Sequence, residues 1–321
     1  MAPQPQATLR PTCILNGKSV HLTAALAHIQ RVAREFGVEA QIVVTKRADE
    51  VSSSAARALA ERRQPIVAGG GDGTVNAVAG ELAGSDAALG VLPMGTLNHF
   101  AKDARIPLDL EAAVRNLFAG QVAKVDVGEV NGRVFVNNSG LGFYPHFVRQ
   151  REELERRGHV KRVAFMLALT ALVRRYFRLR LKARLDEEKA LERITPFLFV
   201  GVNRYETAGL DIGARLRLDA GRLWVCTAPS DGGRNIVGVA LRTLVGRETD
   251  RELNAFETEE LWVEPRAARV NVSFDGEVAM MEAPLHYKIR PGALRVVAPQ
   301  RASRPRLALG GQAEHGRGWF S

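Results

Sequence analysis

The 321-residue sequence is poor in cysteine, with only Cys13 and Cys226. Both stand in apolar, strand-like runs, so no disulfide framework is available. Buried thiols in a reducing compartment, the cytoplasm, are the expectation. No His/Cys cluster has the spacing of a zinc site, and no G-x-S-x-G elbow is present, which argues against a serine hydrolase. The longest apolar run, Val163 to Val173 with Thr170 inside it, is about eleven residues, too short to span a bilayer. Met1 to Pro11 has no apolar segment of the kind a signal peptide needs, so a soluble chain is expected, with peripheral membrane contact at most. No internal repeat occurs. The common nucleotide signatures are missing too. No frame through Gly69–Gly73 completes G-x-G-x-x-G, because the third position falls on Thr74 or Asn76, and Asn16-Gly17-Lys18-Ser19 lacks the upstream glycine of a P-loop, Thr12 standing there.

Charge of one sign is in excess. Lys plus Arg number 45 against 35 for Asp plus Glu, a formal net charge of +10, with a pI near 10.1. That balance favours anionic partners such as nucleotides, nucleic acid or an acidic membrane surface. No groove-reading motif accompanies it, so nucleic-acid binding is not expected.

What is present centres on Pro65 to Leu82. A short β-branched run, Ile66 and Val67, stops at Gly69, Gly70 and Gly71. Asp72, Gly73 and Thr74 follow, and then Val75, Val78, Ala79 and Leu82 fall on one helical face. In such a strand–glycine turn–helix, the first helical N–H groups lack intrahelical acceptors and sit at the positive end of the helix dipole. Glycines remove the Cβ atoms that would hold a phosphate off. The stretch is a candidate polyphosphate cradle, although tight turns between strands and helices also need glycine.

Around it, strands at Thr12–Leu15, Gln41–Val44 and Ala88–Leu92 alternate with helices. These are Leu22–Phe36 ended by Gly37, Glu50 to Arg63 capped by Asp49, one from Asn98, and Leu110 to Phe118. The alternation argues an α/β fold with a doubly wound, mostly parallel sheet, whose ligands sit beyond the carboxyl ends of the strands. Near Val122 the pattern turns to β. Asn131-Gly132 marks a hairpin with a type I′ turn. Further strands are expected at Leu179–Leu185, Phe197–Val202, Arg222–Ala228, Leu261–Glu264, Ala268–Phe274 and His286–Arg290, with helices at about 147–157, 160–176 and 234–245. The expected division is a nucleotide-binding α/β domain over 1–121, a β-rich domain over 122–300, and a basic, disordered tail over 301–321.

Gly70-Gly-Asp-Gly-Thr74, followed about twenty residues later by Leu92-Pro-Met-Gly-Thr-Leu-Asn-His-Phe-Ala101, resembles the diacylglycerol kinase catalytic domain. The likeness is to the bacterial soluble lipid kinases in particular, which also include sphingolipid and phosphatidylglycerol kinases. It covers roughly residues 12–300. The first element is shared with NAD kinases; the second separates the families. The resemblance implies an ATP-dependent kinase that acts on a lipid hydroxyl, with Mg²⁺, and a last strand, Ala293–Ala298, that returns to the first domain. It matches Thr45, Gly71, Asp72, Gly73, Thr74, Val75, Asn76 and Thr96 to nucleotide-binding positions. Asp72 suits holding Mg²⁺ through water, orienting the loop, or capping the following helix. Phe274-Asp275-Gly276-Glu277 resembles the family's Asp-Gly-Glu, whose glutamate is taken as proton acceptor. Glu277 is therefore the candidate base, with Asp275 second; by itself Asp-Gly is also an ordinary hairpin turn. Residues Ala214 to Leu223 resemble a metal-organising region, implying a structural Mg²⁺ at Asp219 and the backbone carbonyls of Arg217 and Arg222. The family's aspartate before the glycine is here Ala220, with Asp219 one residue earlier.

Two further departures are Ala77 for a glutamate and His99 for an aspartate, where His99 either donates to phosphate or packs. Such departures keep open a catalytically impaired nucleotide- or lipid-binding protein, and the shared first motif keeps open an NAD kinase. The stripe Val163, Met166, Leu169, Val173 and Tyr176, framed by Lys161, Arg162, Arg174, Arg175, Arg178 and Arg180, could rest on an anionic inner membrane face or form a core helix. Gly140-Leu141-Gly142-Phe143 could line an acyl pocket or an ordinary core. The lipid itself is open.

Overall fold

The structure, a computed structural model, describes residues 9–142, 179–185, 189–195, 197–206, 214–227 and 254–300. The helices expected at 147–157, 160–176 and 234–245, the Val163–Tyr176 stripe and the tail lie outside the described residues.

The first half alternates as its periodicity requires: β1 (Thr12–Asn16), α1 (Leu22–Glu35), β2 (Gln41–Thr45), α2 (Ala48–Ala60), β3 (Ile66–Gly70), α3 (Asp72–Leu82), β4 (Ala88–Pro93), α4 (His99–Asp103) and α5 (Leu110–Ala119). The strands pair in parallel in the order β2-β1-β3-β4. The chain steps from β1 outward to β2, then back past β1 to β3. With right-handed crossovers, that reversal sends α1 to one face of the sheet and α2 to the other. The gap between β1 and β3 is the switch point where such sheets open a crevice. Ile14, Leu15, Ile66, Val67, Leu89 and Leu92 are fully buried beneath Ile29 of α1, Val78 and Leu82 of α3, and Val114 of α5. Asp49 does not cap α2. It lies within the first turn, paired with Arg47 at 2.7 Å, and Glu50 accepts from the Lys46 and Arg47 amides at 2.7 and 3.3 Å.

The second half holds β5 (Gln121–Val130), β6 (Arg133–Phe135), β7 (Asn138–Gly142), β8 (Leu179–Leu185), β9 (Lys189–Thr195), β10 (Phe197–Val202), β11 (Leu223–Thr227), β12 (Asn254–Thr258), β13 (Glu260–Pro265), β14 (Arg269–Phe274), β15 (Glu277–Glu282) and β16 (Leu285–Ala298). A six-stranded antiparallel sheet runs β12-β11-β10-β7-β14-β15. The runs at 286–290 and 293–298 are one strand. Along one edge, β16 pairs with β5 throughout; along the other, it meets β13 first and then β4, in parallel. The larger sheet therefore passes through β16 into both halves. Gly140 and Gly142 are ladder positions opposite Phe199 and Phe197, and Leu141 is buried in the second core. Both cysteines are buried, and burial pushes the Cys13 thiol up to about 12. Among the described residues no helix is long and apolar enough to cross a membrane.

A bulge between Arg290 and Leu294 interrupts the β16–β5 ladder, with Gly292 at φ +59°. Asp126 of β5 closes it, taking the Gly292 amide on one oxygen and the Gly221 amide on the other, each at 2.7 Å. Asp126→Ala strips the acceptor from both amides, at roughly 1–3 kcal/mol for each such group. We expect unfolding free energy in urea to fall by about 2–4 kcal/mol; an unchanged midpoint would show that the bulge holds without Asp126.

Candidate functional site

The glycine turn after β3 leaves donors unused. Gly71 is extended, and Thr74 and Val75 direct their amides back to its carbonyl at 3.0 and 3.1 Å. Among the described residues, the Asp72 and Gly73 amides have no acceptor, and they stand at the positive end of α3. The Val75 amide is engaged like that of Thr74, and the Val75 side chain lies in the core.

The second glycine turn packs directly on the first. A Cβ on Gly95 would overlap the Gly71 Cα, and one on Gly70 would overlap the Thr74 hydroxyl. Asn98 shapes this second turn. Its Oδ1 accepts from the Gly95 amide at 3.0 Å, its Nδ2 donates to the Gly95 carbonyl at 2.9 Å, and its own φ is +50°. Ser19, from the loop after β1, donates to the Met94 carbonyl at 2.9 Å. Asp72 Oδ1 accepts from the Phe100 amide at 3.2 Å. Asp72 therefore caps α4 across the cleft and leaves its own helix uncapped. Thr96 and His99 are exposed at the rim.

Beyond the ends of β1 and β2 lies a cavity of about 220 Å³, whose walls include Asn16, Lys18, Thr45, Lys46, Thr74 and Glu277. The Thr45 hydroxyl donates to the Leu15 carbonyl at 3.3 Å. Lys18 and Lys46 make no ion pair among the described residues, so two cations face a helix N-terminus with their charge unspent. A neighbouring cavity of about 380 Å³ shares Ala48, Ala77 and Glu277 and adds Asn76, Gly80 and Arg133. Asn76 is 7% exposed, and among the described residues its Oδ1 has no hydrogen-bond partner. An orphaned buried acceptor of this kind invites a donor.

Glu277 reaches the site from the other sheet. Asp275 and Gly276, at φ +48° and +89°, form a two-residue hairpin turn opposite the pair Phe274–Glu277. The turn and the site are thus one feature. Glu277 Oε1 ends 3.5 Å from where a Gly73 Cβ would stand, so the carboxylate faces the α3 N-terminus. Its other oxygen accepts from Arg133 Nη2 at 3.2 Å. Asp275 is not placed to act beside it. Asp275 is buried and receives the amides of Val136, Asn137 and Asn138 at 2.7, 2.8 and 3.0 Å. Burial pushes its carboxyl up to about 6, against the pull of those amides and of Arg215.

Arg215 is the residue the sequence hid. In Arg215-Leu216-Arg217-Leu218, alternation offers the leucines for burial, yet Leu216 is 70% exposed and Arg215 is 4% exposed. Arg215 Nε donates to Asp103 Oδ2 of α4 at 2.7 Å, Nη1 donates to the Val136 carbonyl at 2.7 Å, and Nη2 donates to Asn137 Oδ1 at 2.8 Å. Burial works against its charge, but Tyr205, Asp103 and Asp275 outweigh it and hold its pKa above the ordinary arginine value.

Two of the residues expected to hold a structural cation, Asp219 and Arg222, have protein partners. Asp219 is the only carboxylate in 214–227, and it accepts from Arg217 Nε at 3.0 Å. The Arg222 carbonyl accepts from the Asn203 amide at 2.9 Å, and the Arg222 amide donates to Asn203 Oδ1 at 3.3 Å. No cluster of three His, Cys, Asp or Glu side chains suited to an ion occurs among the described residues.

The architecture matches solved structures. A diacylglycerol kinase from Bacillus anthracis str. Sterne superposes with a TM-score of 0.68 over 92% of this chain and 98% of its own, at 18% identity. That likeness defines the fold. The diacylglycerol kinase catalytic domain model matches residues 10–130. A protein of Pseudomonas aeruginosa PAO1 named "Probable lipid kinase YegS-like" is 33% identical over 297 residues, 89% of this chain and 93% of that one. A "Diacylglycerol kinase" of Staphylococcus saprophyticus is 34% identical over 108 residues, 33% of this chain and 35% of its own. The chain belongs to the diacylglycerol kinase catalytic domain family.

Removing one member of a buried ion pair leaves the other uncompensated, at about 3–5 kcal/mol. Asp103→Ala is expected to lower unfolding stability by roughly that amount, read from the urea midpoint; a loss comparable to an exposed pair would overturn the clamp.

Proposed function

We propose that this protein is an ATP-dependent lipid kinase that transfers the γ-phosphate to a lipid hydroxyl, with diacylglycerol or a related lipid as acceptor. The observation that carries this reading is the placement of Glu277 against Gly73, an acid beside a helix mouth with two free amides. The Asp72 and Gly73 amides, with Lys18 and Lys46, offset the charge of a bound polyphosphate. Thr45, Thr74, Asn76 and Thr96 offer hydroxyl or amide contacts around it. Asp72 would hold a nucleotide-borne Mg²⁺ through water, since among the described residues only its Oδ1 is engaged, and the ion would add further neutralisation. Glu277 takes the proton from the acceptor hydroxyl as its oxygen attacks phosphorus. Reaching a lipid hydroxyl requires contact with a membrane or micelle surface, and a net charge of +10 favours an anionic one.

The test is incubation with γ-labelled ATP and either a lipid extract or NAD, with mass-spectrometric identification of the product. Labelled lipid is expected. Label in NAD, or no transfer, would overturn the reading. Glu277→Gln should lower turnover by roughly 10²–10⁴-fold while nucleotide binding persists; normal turnover would remove Glu277 from the mechanism. Asp72→Ala should reduce kcat/KM for Mg·ATP by about tenfold or more, and unchanged kinetics would exclude Asp72 from magnesium-nucleotide use.

A further inference from the structure

We infer that Arg133 is a positioning residue for the reaction, holding the Glu277 carboxylate so that its free oxygen faces the glycine loop. This rests on the reading of Glu277 as base given above. The two side chains come from different sheets, Arg133 from β6 and Glu277 from β15, and they meet at the wall shared with Asn76. An exposed ion pair contributes little by itself, because both side chains give up freedom to make it. Here the guanidinium is also held from a second direction. Its Cζ lies 3.9 Å from the centroid of the Phe274 ring, a cation–π contact, and Phe274 is fully buried directly opposite Glu277 in the β14–β15 ladder.

The backbone that carries Arg133 is fixed as well. Asn131 and Gly132 form the tight turn before it, at φ +46° and +83°. The Asn131 side chain then ties the turn down, donating to the Glu282 and Pro284 carbonyls at 3.1 Å each and accepting from the His286 amide at 2.7 Å. Glu282 ends the same strand that Glu277 begins. The hairpin tip is therefore fastened to the far end of β15, and Arg133 reaches across to its near end.

A base held this way needs no search for its reactive geometry. That consequence is read in turnover and does not concern stability. With the lipid found in the screen above, Arg133→Gln is expected to lower kcat by about 10–100-fold with KM for ATP little changed. Arg133→Lys keeps a charged donor and should restore part of kcat. Both variants alter a half-exposed side chain, so their thermal midpoints should match the parent. In the Glu277→Gln background, Arg133→Gln should add no further loss.

Unchanged kcat in Arg133→Gln, with Glu277→Gln inactive, would overturn the positioning role alone. A raised KM with kcat unchanged would do the same, making Arg133 a nucleotide contact. Full activity of Glu277→Gln would overturn the role of the base, and with it this one.

Discussion

The buried carboxylate of Asp275 is the constraint on which the rest of the site depends. Three consecutive amides, at 136–138, converge on it. Those residues are where the chain leaves the larger sheet at β6 and enters the smaller one at β7. Arg215 lies against the same crossing, bonded to the Val136 carbonyl and Asn137, and reaches Asp103 on α4. One polar knot thus joins the crossing between sheets, the helix that follows the second glycine turn, and the hairpin that presents Glu277. Replacing a buried ion pair by apolar residues is often neutral or stabilising, so we read this knot as a device for register. Each partner has one place where these hydrogen bonds can all form.

The cleft follows from that register. Gly71 and Gly95 bring two turns into contact that side chains would hold apart, and Asp72 closes the pair by capping α4. The free amides of α3 then open toward the carboxylate delivered from the other sheet. Neither sheet holds the site alone. β16, which runs through both halves of the molecule, keeps them at a set distance.

Much of this was legible beforehand where it rests on local chemistry. The βαβ alternation follows from periodicity, and the tight turns at Asn131-Gly132 and Asp275-Gly276 follow from residue types that tolerate positive φ. The boundaries of α1, α3 and α5 follow from apolar stripes and end signals. Other features were not legible. β7, β9 and β12 are short or carry few β-branched residues, and only their partners make them strands. β16 looked like two strands because Pro291-Gly292 reads as a break, whereas Asp126 converts that break into a bulge. Nothing in the sequence marks Arg215 for burial, because burying a guanidinium makes sense only once Asp103, Asn137 and the Val136 carbonyl are known to surround it.

The sequence by itself determined the class of fold, the two glycine turns and the family, because each is written in residues close together along the chain. It also named Glu277, through a three-residue motif. What only the tertiary structure decided is how separated segments meet. Asp275 and Glu277 are two residues apart, yet one is sunk among three amides and the other faces the cleft, since the chain reverses between them at the Asp275-Gly276 turn. Asp72 serves a helix other than its own, and Asp219 turns to Arg217. Those outcomes depend on which donors and acceptors are in reach after the chain has packed, and sequence spacing does not carry that information.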